Sequence, residues 1–301
     1  MNSRPASTTP GSAPALGAIL LVLASGCSGT PERTASAPAP APAAAVTFSV
    51  PDDSLIPKDA VGASIRRGRA IVLATHDSLP GHVGNGLRCV SCHLDNGARI
   101  SSGSWIGVYA SFPQYNKRGG RVFRIEDRVN ECLRRSLAGK PLALDSRDMT
   151  DLVAYFAFLS HGIPQGTKAE WLGMKRLTPV TPDRAAGQRL YDGECVRCHG
   201  PAGEGTAIAP AVWGPRSYAI GAGMARLHTA AAFIRWNMPF DRPGTLTDQQ
   251  AYDLAAFVLD HPRPDTPGKE KDYPKGDPPD DNPYPVNAHR PPAKSGPTAS
   301  R

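Results

Sequence analysis

What the chain has little of narrows its class before any motif is read. Cysteine occurs only six times in 301 residues, too few for a disulfide scaffold. Aromatic residues make up 7%, a thin supply for a protein-only core in two units of roughly 100 residues each. Something other than side chains is expected to fill the interior. Strand-like alternation is nearly absent, which argues against a sheet-based fold. The net charge is +7 and the pI near 9.2, yet no run of Lys and Arg carries interleaved aromatics, so nucleic acid is not expected as a partner.

The longest apolar run, residues 15 to 24, is too short to span a bilayer and has the length of an export-signal core. Residues 1–26 therefore read as a signal peptide. The run ends in Leu23-Ala24-Ser25-Gly26-Cys27, which resembles a bacterial lipoprotein cleavage site, although its Leu sits one place early. The expectation is a periplasmic protein attached to a membrane only through a lipid on Cys27, with Ser28 favouring the outer membrane. Residues 27–46 are rich in Ala and Pro and read as an extended spacer. Residues 263–301 are dense in Pro, Lys, Asp and Gly and read as a disordered tail.

Between these ends the sequence repeats. A helix candidate with an internal glycine, Gly68 in residues 64–74 and Gly187 in residues 183–191, leads into Cys-x-x-Cys-His. Each unit closes with an amphipathic helix. The first, residues 147–159, carries Leu152, Val153, Phe156 and Leu159 as a stripe. The second, residues 248–259, is opened by Thr247 and Gln250 in capping-box spacing and carries Ala251, Leu254, Ala255 and Val258. The fold class predicted is mostly α: two tandem cytochrome c domains over residues 47–165 and 183–262, joined by a Pro/Gly linker at 166–182, with long irregular loops.

Cys89, Cys92 and His93, and again Cys195, Cys198 and His199, each spell a covalent haem c site. Two thiols three positions apart can add to the vinyl groups of one haem, and the adjacent imidazole reaches the iron. Zinc would need a second ligand pair for each cluster, and none is visible. For the sixth ligand of the second haem, Met238 is the choice, because Pro239 disfavours helix there and holds an extended loop. Met224 is the reserve, and His228 reads as a helix-surface residue. The first unit has no Met-Pro, but Cys132 lies 39 residues after His93, as Met238 lies 39 after His199. A buried thiol alone reads as a small hydrophobe; in the ligand slot beside a haem, ligation is favoured. Cys132 falls on a helix candidate over residues 126–137 that places Arg128 and Ser136 on its own side. Lys117, Arg118, Arg121, Arg124, Arg134 and Arg135 add basic charge nearby, some of it a solvated helix face. Arginines aimed at the sulfur would hold an anionic substrate and favour the thiolate.

These residues resemble the thiosulfate dehydrogenase and tetrathionate reductase family of dihaem cytochromes c over roughly residues 60–262. The resemblance rests on Cys89-Val-Ser-Cys-His93-Leu-Asp, Phe112-Pro-Gln-Tyr115, Cys195-Val-Arg-Cys-His199-Gly, Gly221-Ala-Gly-Met224 and Asn237-Met238-Pro239. The discriminating block is Glu126-Asp-Arg-Val-Asn-Glu-Cys132-Leu-Arg-Arg-Ser136. It implies that His93 and Cys132 ligate an active-site haem, that His199 and Met238 ligate an electron-exit haem, and that Arg118, Arg128 and Ser136 line the substrate pocket. Where some relatives carry Lys before the Met, this chain has Asn237, so no Lys-to-Met ligand exchange is expected. The implied reaction couples two thiosulfates to tetrathionate, or reverses it, with a small cytochrome c or a high-potential iron-sulfur protein as redox partner. The competing readings are a non-enzymatic dihaem electron carrier, a dihaem peroxidase, and a sulfur-oxidation cytochrome that loads thiosulfate onto a carrier protein.

Overall fold

The apolar stripes become eight α-helices in a computed structural model whose described residues are 46–287. They are α1 (Ala60–Leu73), α2 (Thr75–Ser78), α3 (Ile125–Glu131), α4 (Arg147–Phe158), α5 (Arg184–Glu194), α6 (Val196–His199), α7 (Leu227–Asn237) and α8 (Asp248–Leu259). The signal peptide, Cys27 and most of the spacer lie outside the described residues. The capping box at α8 forms as read, with Thr247 Oγ1 accepting from the Gln250 amide and Gln250 Oε1 accepting from the Thr247 amide.

Helix α1 packs on α4, and α5 on α8, giving two copies of one crossing. Both crossings need a glycine. A Cβ on Gly68 would lie 2.0 Å from the Asp151 carbonyl oxygen, and one on Gly187 would lie 2.0 Å from that of Asp253. The acid supplying each carbonyl also ties the two helices together by its side chain. Asp151 accepts from Ser64 Oγ at 2.5 Å and from Arg67 Nε at 2.7 Å, and Asp253 accepts from the Asp183 amide at 2.7 Å. Loops follow the repeat too, since Gly97 and Gly203 each press against a tryptophan, Trp105 and Trp213.

Three features depart from the sequence reading. A small hairpin, β1 (Gln114–Asn116) with β2 (Arg121–Phe123), pairs antiparallel with Tyr115 opposite Val122; strands of three residues carry no alternation long enough to read. The helix expected over 126–137 changes character at the thiol, with α3 ending at Glu131 and a π-helical turn running Cys132–Ser136. The third departure is the tail.

Residues 263–287 are not a disordered tail. They fold back across both halves and bury Thr266, Asp272, Tyr273 and Tyr284. Asp272 accepts two hydrogen bonds from Arg135, at 2.8 and 2.7 Å, and one from Tyr284 Oη at 2.6 Å. Farther along, Asp281 accepts from Arg226 at 2.7 Å and from the His228 amide at 2.9 Å. Composition misled because it counts large apolar residues, whereas the buried material here is two tyrosines and carboxylates neutralised by distant arginines. Breaking one partner of such a pair leaves an uncompensated charge at a cost of about 3–5 kcal/mol.

Candidate functional site

In both Cys-x-x-Cys-His segments the histidine is set from behind. His93 Nδ1 lies 2.6 Å from the Gly103 carbonyl oxygen, and His199 Nδ1 lies 2.8 Å from that of Pro210. A carbonyl only accepts, so Nδ1 carries the hydrogen and Nε2 is left with a free lone pair, the form that binds iron. Burial, opposed by the bond to Gly103 and reinforced by the Arg128 charge, pulls His93 down to about 4. Burial also lowers His199. Both imidazoles are thus neutral at neutral pH, as a metal ligand must be.

The residues present fit the cofactor that the motifs imply. A cavity of about 1120 Å³ is lined by Cys195, Cys198, His199 and Met238, with Tyr191, Leu246, Leu254 and Val258 of the second core forming apolar wall. This is a void of porphyrin scale where the side-chain core is thin. Met238 leaves α7 in extended conformation (φ −123°, ψ 149°), as expected of a residue before proline. Met224 lines the same cavity. His228 does not; its Nδ1 lies 2.9 Å from Tyr252 Oη. Leu87, Arg88 and Cys92 from around the first motif form another part of the wall, so the two haem sites are neighbours.

Cys132 stands beside the first motif, close enough for its charge to act on both Cys89 and Cys92. Arg128, one turn earlier on α3, donates from Nη1 to Cys132 Sγ at 3.2 Å. Arg128 makes no ion pair among the described residues. The rest of the basic cluster is otherwise engaged. Arg121 and Arg124 pair with Asp127, Arg134 and Arg135 with Glu131, and Lys117 with Asp277.

Arg118 donates to the Gly221 carbonyl at 2.6 Å and to Tyr273 Oη at 3.2 Å, so it is held at the seam between the halves. The Ser136 hydroxyl makes no hydrogen bond to Cys132 among the described residues. Its carbonyl instead accepts from Asn85 Nδ2 at 2.9 Å.

Sequence reasoning missed Asn85. Buried and just ahead of the first motif, it donates from Nδ2 to Ser136 O and, at 2.8 Å, to Ser217 O in the second half. Its Oδ1 accepts from the Leu87 amide at 3.1 Å. The Arg135 carbonyl accepts from the Ala219 amide at 3.2 Å. The last carbonyls of a helical segment have no partner within it, and here the second half and the pre-motif loop satisfy those of Arg135 and Ser136.

Known proteins resemble this chain over most of the described residues. Residues 82–165 match the model of the SoxA/TsdA cytochrome c domain, and residues 182–258 that of cytochrome C oxidase, cbb3-type, subunit III. A thiosulfate dehydrogenase of Psychrobacter arcticus is 43% identical over 242 residues, covering 78% of this chain and 74% of that protein. Another, of Allochromatium vinosum, is 43% identical over 230 residues, covering 73% and 85%. Among solved structures, thiosulfate dehydrogenase (TsdBA) from Marichromatium purpuratum superposes with a TM-score of 0.70 at 34% identity, over 73% of this chain. The match spans half of that solved chain. With two cytochrome c domains, two covalent haem sites and identity of this extent, the chain belongs to the thiosulfate dehydrogenase family.

Proposed function

We propose that the protein couples two thiosulfates into tetrathionate and releases two electrons, and that the same chemistry runs backwards when tetrathionate and a reductant are supplied. The observation that carries this reading is the 3.2 Å contact from Arg128 to Cys132 Sγ, in a turn held against the first haem motif. An electron carrier needs neither a thiol there nor a cation on it.

Two thiosulfate dianions repel, so their meeting needs fixed positive charge. Arg128 is placed to hold the sulfonate end of one anion beside the thiol. The Cys132 thiolate forms an S–S bond with the outer sulfur of one thiosulfate, and two electrons leave in that step. The outer sulfur of a second thiosulfate then attacks that same sulfur. The bond to Cys132 breaks, tetrathionate departs, and the thiolate is restored; the second step is neutral in electrons. The haems supply one-electron acceptors for the pair of electrons. His93 and Cys132 would hold the first and His199 and Met238 the second, with Cys89, Cys92, Cys195 and Cys198 attaching them. The shared wall of the cavity supports a route from the first site to the second and then to an external carrier, a small cytochrome c or a high-potential iron-sulfur protein. Export by residues 1–26 and a lipid on Cys27 would place this chemistry in the periplasm.

Purified holo-protein assayed with thiosulfate plus an artificial oxidant, and with tetrathionate plus a reductant, tests the reading in both directions. Cys132→Ala should abolish turnover while leaving two haems per chain. Native-rate thiosulfate oxidation by that variant would overturn it.

A further inference from the structure

The segment after α8 lies beyond both matched family models, which stop at residues 165 and 258. It nevertheless reaches the two places on which the proposed chemistry depends. Asp272 takes both terminal nitrogens of Arg135, a residue of the π-turn that begins at Cys132. Its neighbour Tyr273 accepts from Arg118 Nε at 3.2 Å and donates its own amide to the Arg118 carbonyl at 2.9 Å. The Arg118 guanidinium also lies over the Tyr273 ring, 5.7 Å from its centroid.

The grip is made with care for its own groups. Tyr273 sits at φ +53°, a left-handed conformation that a bulky residue adopts only when its surroundings require it. Asp272 is 5% exposed and Tyr284 is 6% exposed, and the Tyr284 hydroxyl donates to the Asp272 carboxylate at 2.6 Å. Asp272 also lies 4.0 Å from Arg118 Nε, so one buried carboxylate faces both arginines. Arg118 Nη2 has no protein partner among the described residues. A buried ion pair is weak evidence for added stability, but this one fixes two side chains and the turn between them.

We propose that Asp272, backed by Tyr284 and Tyr273, is a positioning residue: it holds the Cys132 turn through Arg135 and holds Arg118 for the anionic substrate. This rests on the thiosulfate reading above. Asp272 itself touches neither the thiol nor the substrate.

The test compares holo-protein of the full chain carrying Asp272→Asn, Tyr284→Phe, or Lys269→Ala. Lys269 makes only an exposed pair with Asp265 in the same segment. Asp272→Asn should raise KM for thiosulfate about tenfold, the worth of one charge-assisted hydrogen bond, and change kcat by less than about threefold. The low-spin EPR signals of the first haem should shift or broaden in that variant while those of the second stay in place. Lys269→Ala should alter neither.

Unchanged KM and unchanged first-haem signals in Asp272→Asn would overturn the proposal, whatever happens to its melting temperature. If that variant does not accumulate with haem, Tyr284→Phe removes only the hydroxyl that orients the carboxylate. It should raise KM about threefold, and a wild-type KM and spectrum there overturns the proposal equally. Wild-type protein inactive on thiosulfate would instead sink the underlying reading, and the EPR comparison would still report whether Asp272 places the turn.

Discussion

Arg128 Nη1 stands 3.2 Å from Cys132 Sγ, the one basic side chain of a crowded neighbourhood that meets the sulfur among the described residues. Lys117, Arg121, Arg124, Arg134 and Arg135 are paired with carboxylates and Arg118 is held at the seam, which leaves Arg128 as the exposed guanidinium on the thiol that a substrate anion can share.

Arg128→Ala should therefore lower kcat/KM for thiosulfate by about ten- to a hundredfold, the range for a charge-assisted hydrogen bond. Arg128→Lys should recover part of this, because the charge returns without the planar fork. Steady-state assays with an artificial acceptor decide it, and an unaffected kcat/KM in the alanine variant would show that the anion is bound elsewhere.

The two helix crossings should be equally intolerant of one methyl group. Gly68→Ala and Gly187→Ala each drive a Cβ against a carbonyl oxygen at 2.0 Å. Each is expected to cost about 2–4 kcal/mol, through overpacking and displaced helices. Thermal unfolding of the holo-proteins measures this; a melting temperature matching wild type in either variant would mean that the crossing is looser than described.

Asn85→Ala strips one amide from three partners at once and leaves Ser136 O, Ser217 O and the Leu87 amide unsatisfied. A loss of about 3 kcal/mol is expected, since each buried orphan costs on the order of 1 kcal/mol or more. Denaturant unfolding followed at both haems should show the two transitions moving apart, because the amide joins the two halves. Coincident transitions at the native midpoint would refute this role.

Asp151 gives stability a defined acid limb. Burial pushes its carboxyl up, but hydrogen bonds from Arg67 and Ser64 and the charges of Arg67 and Arg147 outweigh it, leaving the group below its ordinary value. The folded state thus binds the proton less well than the unfolded state. The stabilisation is present above the unfolded value near 3.9 and is lost as pH falls through the lower folded value. Asp151→Asn should be less stable at pH 7 and should show a shallower loss of stability below about pH 4. Parallel acid slopes for the two proteins would contradict the assignment.

Much of this molecule can be read from the chain alone, and the reasons are local. Cys89 to His93 and Cys195 to His199 bring all their chemistry within five consecutive positions. Met238 is marked by the proline that follows it, and the stripes of α4 and α8 by their period. The register of the thiol is harder, since a stripe holding Val129, Cys132 and Leu133 suits a regular helix or a π-turn, and only partners such as Asn85 and Ala219 choose between them. Ala138 takes a left-handed step, at φ +48°, just after the π-turn. Gly139 is needed because a Cβ there would lie 1.9 Å from His82 O. Asp272 and Arg135 are 137 positions apart, and no periodicity connects residues at that separation.

That separation sets an order of events. Arg135 emerges early in synthesis, whereas its carboxylate partner follows only after both haem motifs have passed. The N-terminal half can pair α1 with α4 as soon as residue 158 is available, and Asn85 can already hold Ser136 O, yet the Arg135 side chain lacks its Asp272 partner until the segment after α8 arrives. The carboxylate that fixes Arg135 is thus among the last contacts that the described chain supplies to its first half.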